Sequence, residues 1–158
     1  MPFLFHNDAR RFFERIGLEG RKGGKSESGI FRTYLDAYWL CAQVGIKNEE
    51  FEAPVKKEAP ELTRAFRGDV AAHTHLIRGI GFYLHCKKKS MTDKDEDLLK
   101  EMAMFFSNEH MSLNDAGFDL FNGYANGGFN LIHERVGDHC TELSTLLSTL
   151  LLECYEML

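Results

Sequence analysis

Along most of the chain, large apolar residues recur every three or four positions, the spacing that gives a helix one buried face. Ala9, Phe12, Phe13 and Ile16 form the first such set, with Asn7 and Asp8 as good N-caps ahead of it and Gly17 closing it. Thr33 caps a second helix whose apolar face carries Leu35, Trp39, Leu40 and Ala42, and Gly45 sits where a left-handed C-cap residue belongs. Asp69 caps a third, through Leu76, Ile77, Ile80, Tyr83 and Leu84, which ends in Lys87, Lys88 and Lys89, cations that suit the dipole of a last turn. Thr92, followed by Asp93, Asp95 and Glu96, is a start signal for a helix bearing Leu98, Leu99, Met102, Phe105 and Phe106.

Ser112, with Asp115 at the capping-box distance, opens the next pattern through Leu113, Ala116, Phe118, Leu120 and Phe121. After an interruption it resumes at Phe129, Ile132 and Val136. Gly137 and Asp138 break the chain again, and Asp138 caps a terminal helix with Leu143, Leu146, Leu147, Leu150 and Leu151 on one face. Between 46 and 60 the pattern dissolves around Pro54 and Pro60, each of which pushes its predecessor out of helical geometry. That stretch has room for a minor β-ribbon, with a brief helix following around Leu62 and Phe66. These patterns predict a mainly α fold: residues 1–158 as one helical domain, a bundle of about six helices. Residues 1–29 make its first helix and a flexible basic loop, and 138–158 its C-terminal helix.

The interruption is the most distinctive feature. In the run Gly123-Tyr124-Ala125-Asn126-Gly127-Gly128-Phe129, three glycines fall within six residues. In a helix interior each costs roughly 1 kcal/mol relative to Ala. A chain that keeps them either bends there or brings another backbone very close. The second reading predicts a close helix crossing with no reactive group in it.

Composition places the chain among ordinary globular proteins, with 44% hydrophobic and 27% charged residues. At 158 residues it is long enough to bury a sizeable core, and its 13 Phe favour one. A formal charge of −5 argues against a protein built to neutralise phosphate backbones, although local basic patches are compatible with it. Met1 to His6 shows neither a basic start nor an apolar run, and no 18-residue apolar stretch occurs. The expectation is a cytoplasmic protein. Cys41, Cys86, Cys140 and Cys154 lack CxxC spacing and read as reduced, mostly buried thiols.

Candidate chemistry is sparse. Gly20-Arg21-Lys22-Gly23-Gly24-Lys25-Ser26 resembles a phosphate-binding loop, but Glu19 stands where the first glycine is required and no strand precedes it. It reads as a mobile basic loop that binds no nucleotide. His73 and His75 would point about 200° apart on a helix. His85-Cys86 and His139-Cys140 are adjacent pairs that do not converge on one ion, so no metal or cofactor is expected. Cys140, near His139 and His133, is the one candidate nucleophile, and it lacks an orienting third group. Basic residues cluster at Arg10, Arg11 and Arg15, at Arg21, Lys22 and Lys25, and at Lys87, Lys88 and Lys89. The last two clusters are the candidate nucleic-acid contacts, the basis of an alternative reading as a nucleic-acid-binding module. An enzyme is not expected.

The segment 31–45, ending Trp39-Leu40-Cys41-Ala42-Gln43-Val44-Gly45, taken with 124–129, resembles a family of small helical accessory proteins encoded with bacterial phage-defence operons. These include proteins of DNA-phosphorothioation-associated systems and middle components that accompany SMC-like or ABC-type ATPases. The resemblance implies a non-catalytic accessory or bridging subunit that contacts a larger ATPase or nuclease, and it carries over no site residues. The terminal helix suggests where such contact falls. Leu151, Leu152, Tyr155 and Leu158 exceed what one intramolecular seam needs, and they are the candidate docking residues for a partner or a second copy of the chain.

Overall fold

The computed structural model describes residues 2–16, 33–55, 57–63, 73–92, 94, 96–106, 113–137, 140 and 142–156. Among them are six helices and two short strands. The helices are α1 (Asn7–Arg15), α2 (Tyr34–Asn48), α3 (Thr74–Lys88), α4 (Leu98–Phe105), α5 (Asp115–Val136) and α6 (Leu143–Glu156). The strands β1 (Phe3–Leu4) and β2 (Glu61–Thr63) pair as a two-stranded ribbon. The fold class is mainly α with a minor β-ribbon. The ribbon lies outside 46–60, and Leu62, expected in a brief helix, is in β2. Phe66, Asp69, Ser112 and Asp138, expected as helical or capping residues, lie outside the described residues, as does Gly17.

Two compact units are distinguishable: Met1–Phe3 with Glu61–Asn122, and Leu4–Pro60 with Gly123–Leu158. The first holds β2, α3, α4 and residues 115–122 of α5. Its core gathers Ile77, Leu84, Phe105, Leu113, Phe118 and Phe121. Gly81 in α3 is a core position, because a Cβ there would stand 3.1 Å from the Phe121 ring and 3.3 Å from Phe105. Phe3 meets Phe118 edge-on at 4.9 Å. Asn122 is buried, and its amide donates to the Pro2 carbonyl at 3.0 Å, so this core polar group is satisfied. Thr92 does not begin a helix. Its hydroxyl accepts from Lys94 N–H in a turn, and α4 starts only at Leu98.

The second unit holds α1, α2, α6 and residues 123–136 of α5. The chain beside Phe5 and Asn7 is tied to the segment before β2 by N–H bonds to Pro60 and Glu58 carbonyls. Arg10 reinforces that seam, donating to the Phe5 and Pro60 carbonyls, while its guanidinium stacks 5.2 Å from the Tyr34 ring. Thr33 caps α2 as expected, in a full capping box with Asp36. The rest of α2 departs from expectation. Gly45 is not its C-cap; Glu49 is, with φ of 59°. The buried face carries Ala37, Tyr38, Cys41, Ala42 and Gly45, whereas Leu35, Trp39 and Leu40 are half-buried.

The reason is the crossing with α5, which runs straight through the glycine cluster as one 22-residue helix. A Cβ on Gly128 would stand 2.6 Å from the Gly45 nitrogen and 2.9 Å from the Cys41 carbonyl carbon. A Cβ on Gly45 would in turn stand 2.9 Å from the Tyr124 carbonyl carbon and 3.0 Å from the Gly128 nitrogen. Backbone meets backbone on both sides, so the two glycines are reciprocal requirements of one crossing. A Cβ on Gly127 would stand 2.7 Å from the Glu50 carbonyl carbon, and one on Gly123 would meet the Phe51 ring. The cluster is a close-packing site and not a bend. The helix ends at Gly137, whose φ of 70° is the left-handed conformation glycine adopts without strain.

Candidate functional sites

In the first unit the notable surface is apolar. Leu76, Ile80 and Tyr83 of α3 are exposed, Leu76 and Tyr83 each at 62%. At about 100° per residue they share one stripe of the helix. The opposite stripe takes α4: Phe82 packs on Phe105 and Phe106 at 5.5 and 5.4 Å, and Arg78 lies 4.9 Å over the Phe106 ring. Core contact falls to Ile77, Gly81 and Leu84 between them. The expectation that Leu76, Ile80 and Tyr83 join the core is therefore corrected. On α4, Leu99 is 77% exposed, with Met102 and Met104 exposed beside buried Phe105.

The α3–α4 contact is closed by charge. Glu101 binds His85 at 2.9 Å and accepts from Lys89 Nζ at 2.7 Å. These two hydrogen bonds, Lys89 first, hold its carboxyl below the ordinary value. Burial, seconded by Glu101, raises the neighbouring Cys86 thiol, the opposite of an activated nucleophile. Of the residues proposed for nucleic-acid contact, Lys87 and Lys88 are exposed in the last turn of α3, and Lys89 is engaged by Glu101. Arg21, Lys22 and Lys25 lie outside the described residues, as does the loop resembling a phosphate binder.

In the second unit an open cleft of about 540 Å³ lies along α1 and α5. Arg11 and Arg15 enter it from successive turns of α1, and Asn130 and His133 from α5. His6 and Asp8 complete its wall at the start of α1. The backing is aromatic. Phe12 lies 5.9 Å from both the Phe129 and His133 rings, and those two rings are 5.6 Å apart. His6 Nδ1 accepts from Asp8 N–H, which leaves Nε2 to face Glu58 at 3.2 Å. Asn130 is held by its amide donating to Glu52 at 2.6 Å. Sequence reasoning noted Arg11 and Arg15 only as a basic cluster and did not join them to His133, because nothing local announces that α1 lies along α5.

Of the proposed docking residues on α6, Leu152 is 67% exposed; Leu146, on the expected apolar face of the same helix, is buried. The side chains of Leu151 and Tyr155 are outside the described ones, and Leu158 lies outside the described residues. Cys140 is buried and donates to the Glu142 carbonyl at 3.3 Å; His139 lies outside the described residues. Cys41 is fully buried, and burial holds its thiol well above the ordinary value. Among the described residues no group of three or more His, Cys, Asp or Glu side chains could hold a metal ion, and no helix is long and apolar enough to cross a membrane. Comparison with family models, curated proteins and solved structures finds no match to the chain.

Proposed function

We propose that this protein is a non-catalytic accessory or bridging subunit of a bacterial anti-phage defence complex in the cytoplasm, working by contact with a larger ATPase or nuclease subunit. The observation that supports the contact is the α3 stripe of Leu76, Ile80 and Tyr83, three large apolar side chains turned away from their own core. Exposed apolar groups gathered on one helix face mark interaction surfaces, and an apolar stripe in a partner's groove is a recurrent mode of recognition. Leu151, Leu152, Tyr155 and Leu158 form a second proposed contact, resting on the exposure of Leu152. The defence setting rests on the resemblance of 31–45 and 124–129. Gly45 of the first block packs on Tyr124 and Gly128 of the second, so the resemblance follows a packing motif and names no reacting group.

Co-expression with the products of neighbouring genes tests the proposal. The ATPase or nuclease subunit is expected to co-purify with this chain. Leu76→Glu together with Tyr83→Glu is expected to abolish that without changing the helical circular dichroism, since both side chains are exposed. A chain that purifies alone, or one that keeps its partner with both charges in place, overturns the reading.

A further inference from the structure

We infer that Leu76, Gly79, Ile80 and Tyr83 of α3 form a socket for one large apolar side chain of a helix in the partner subunit. The inference rests on the reading of α3 as the partner-facing helix and adds what docks there. Residues i, i+3, i+4 and i+7 of a helix enclose the hole that receives a knob from a facing helix, and positions 76, 79, 80 and 83 have that spacing. All four are exposed. Three corners of the hole are large: Leu76 and Tyr83, each 62% exposed, and Ile80 at 36%. The fourth is glycine, which opens the hole down to the backbone.

Packing within the chain gives no reason for this glycine. A Cβ built on Gly79 meets nothing within 4 Å, whereas one on Gly81 would press on the Phe121 and Phe105 rings. In an exposed helix interior glycine is less favourable than any residue but proline. What it offers in return is close approach of another backbone. The chain uses glycine in that way where Gly45 and Gly128 let α2 and α5 meet backbone to backbone. Gly79 repeats the device on a face that its own unit leaves open.

The size of the patch selects a single helix as the occupant. At about 200 Å² for a large side chain, the exposed fractions of Leu76, Ile80 and Tyr83 leave on the order of 300 Å². A stable interface between folded subunits buries about 800 Å² on each side. Two copies of this chain joined through the α3 face alone would fall well short of that. One helix laid across α3 covers such a patch, and Tyr83 supplies a rigid aromatic anchor at its edge. Carried on a larger subunit with other contacts, that helix works through effective concentration and needs little affinity of its own. An extended strand is the poorer match, because the N–H and C=O groups of α3 are spent within the helix and offer no edge to pair with.

The test uses the full chain co-expressed with the neighbouring genes, and the subunit that co-purifies with it as the probe. Gly79→Leu fills the hole with a side chain that nothing in the folded protein obstructs, so the variant is expected to melt at or above the parent. It is nevertheless expected to bind the purified subunit about tenfold more weakly or worse, with Gly79→Ala losing less. A patch that adheres through apolar area alone predicts the opposite sign, since leucine adds area. Gly79→Leu binding as tightly as the parent, or tighter, overturns the socket and leaves standing the partner-facing role of α3, which Leu76→Glu with Tyr83→Glu tests separately. Photo-crosslinks introduced one at a time at positions 76 and 83 are expected within about two helical turns of each other on one segment of that subunit. Adducts scattered over several segments, or formed on another copy of this chain, overturn the single-helix occupant. A parent chain that purifies alone overturns both readings.

Discussion

Gly128→Ala adds one methyl group at the α2–α5 crossing, 2.6 Å from the Gly45 nitrogen and 2.9 Å from the Cys41 carbonyl carbon. The Cys41 carbonyl oxygen is nearer still, and ordinary contact begins near 3.4 Å, so α2 and α5 must part by more than about 0.8 Å there. None of these atoms belongs to a side chain that could rotate away. The cost therefore lies at the upper end of the overpacking range, about 3 kcal/mol. Helix propensity acts the other way, since Ala is favoured over Gly by about 1 kcal/mol. Packing wins, and the net loss is about 2 kcal/mol, or about 4–8 °C in melting temperature for a chain of this size. Gly79→Ala is the internal control. Gly79 lies within α3, is exposed, and a Cβ there meets nothing within 4 Å. Only the propensity term applies, so this variant is expected to melt higher, by up to about 4 °C. Thermal unfolding followed by far-UV circular dichroism reads both. A Gly128→Ala protein that melts at or above the parent refutes the close-crossing account.

Three further outcomes follow from local chemistry. Thr33→Ala removes the hydroxyl half of the α2 capping box, leaving the Thr33 N–H bonded to the Asp36 carboxylate, and is expected to lower stability by about 1 kcal/mol in urea titration, with Thr33→Ser retaining most of it. In the folded protein, Cys41 is expected to resist a thiol reagent that labels half-buried Cys86, and to react only as the chain unfolds, because burial both raises its thiol and blocks access; mass spectrometry of labelled peptides shows which reacts first. Hydrogen bonds from Lys89 and His85 hold the Glu101 carboxyl below its ordinary value of 4.5 in the folded state. Its stabilising contribution is therefore complete above that pH and is lost as pH falls through the lower folded value. Stability of Glu101→Gln is expected to fall less than the parent's below pH 4.5, and parallel acid limbs would contradict this.

The helices were legible where caps and large apolar residues agree, as at Thr33 and along Phe12, Phe13 and Ile16. Faces were misread where small residues form the contact. In α3, Leu76, Ile80 and Tyr83 look like the core stripe, yet Gly81 lies beneath two phenylalanine rings and turns the Ile77–Leu84 side inward. In α2 the same substitution of small for large occurs at Ala37, Cys41 and Gly45, so Leu35, Trp39 and Leu40 rotate out of the centre. A reading that weights apolar size treats glycine as neutral, although the closest packing here is made by glycines. Gly45 illustrates the point twice, since its type also matches a helix stop that the chain places at Glu49. The cleft was legible only as unconnected parts. Arg11 and Arg15 are more than a hundred residues from Asn130 and His133, and no local pattern pairs them.

The most direct test of the proposed role is photo-crosslinking from position 83 of α3, with a benzophenone amino acid in place of Tyr83, in cells carrying the neighbouring genes. Position 119 serves as the control, since Asp119 is exposed on another helix. The account predicts a crosslink from position 83 to an ATPase or nuclease subunit and none from position 119. Absence of any adduct at 83, or equal adducts from both positions, contradicts it.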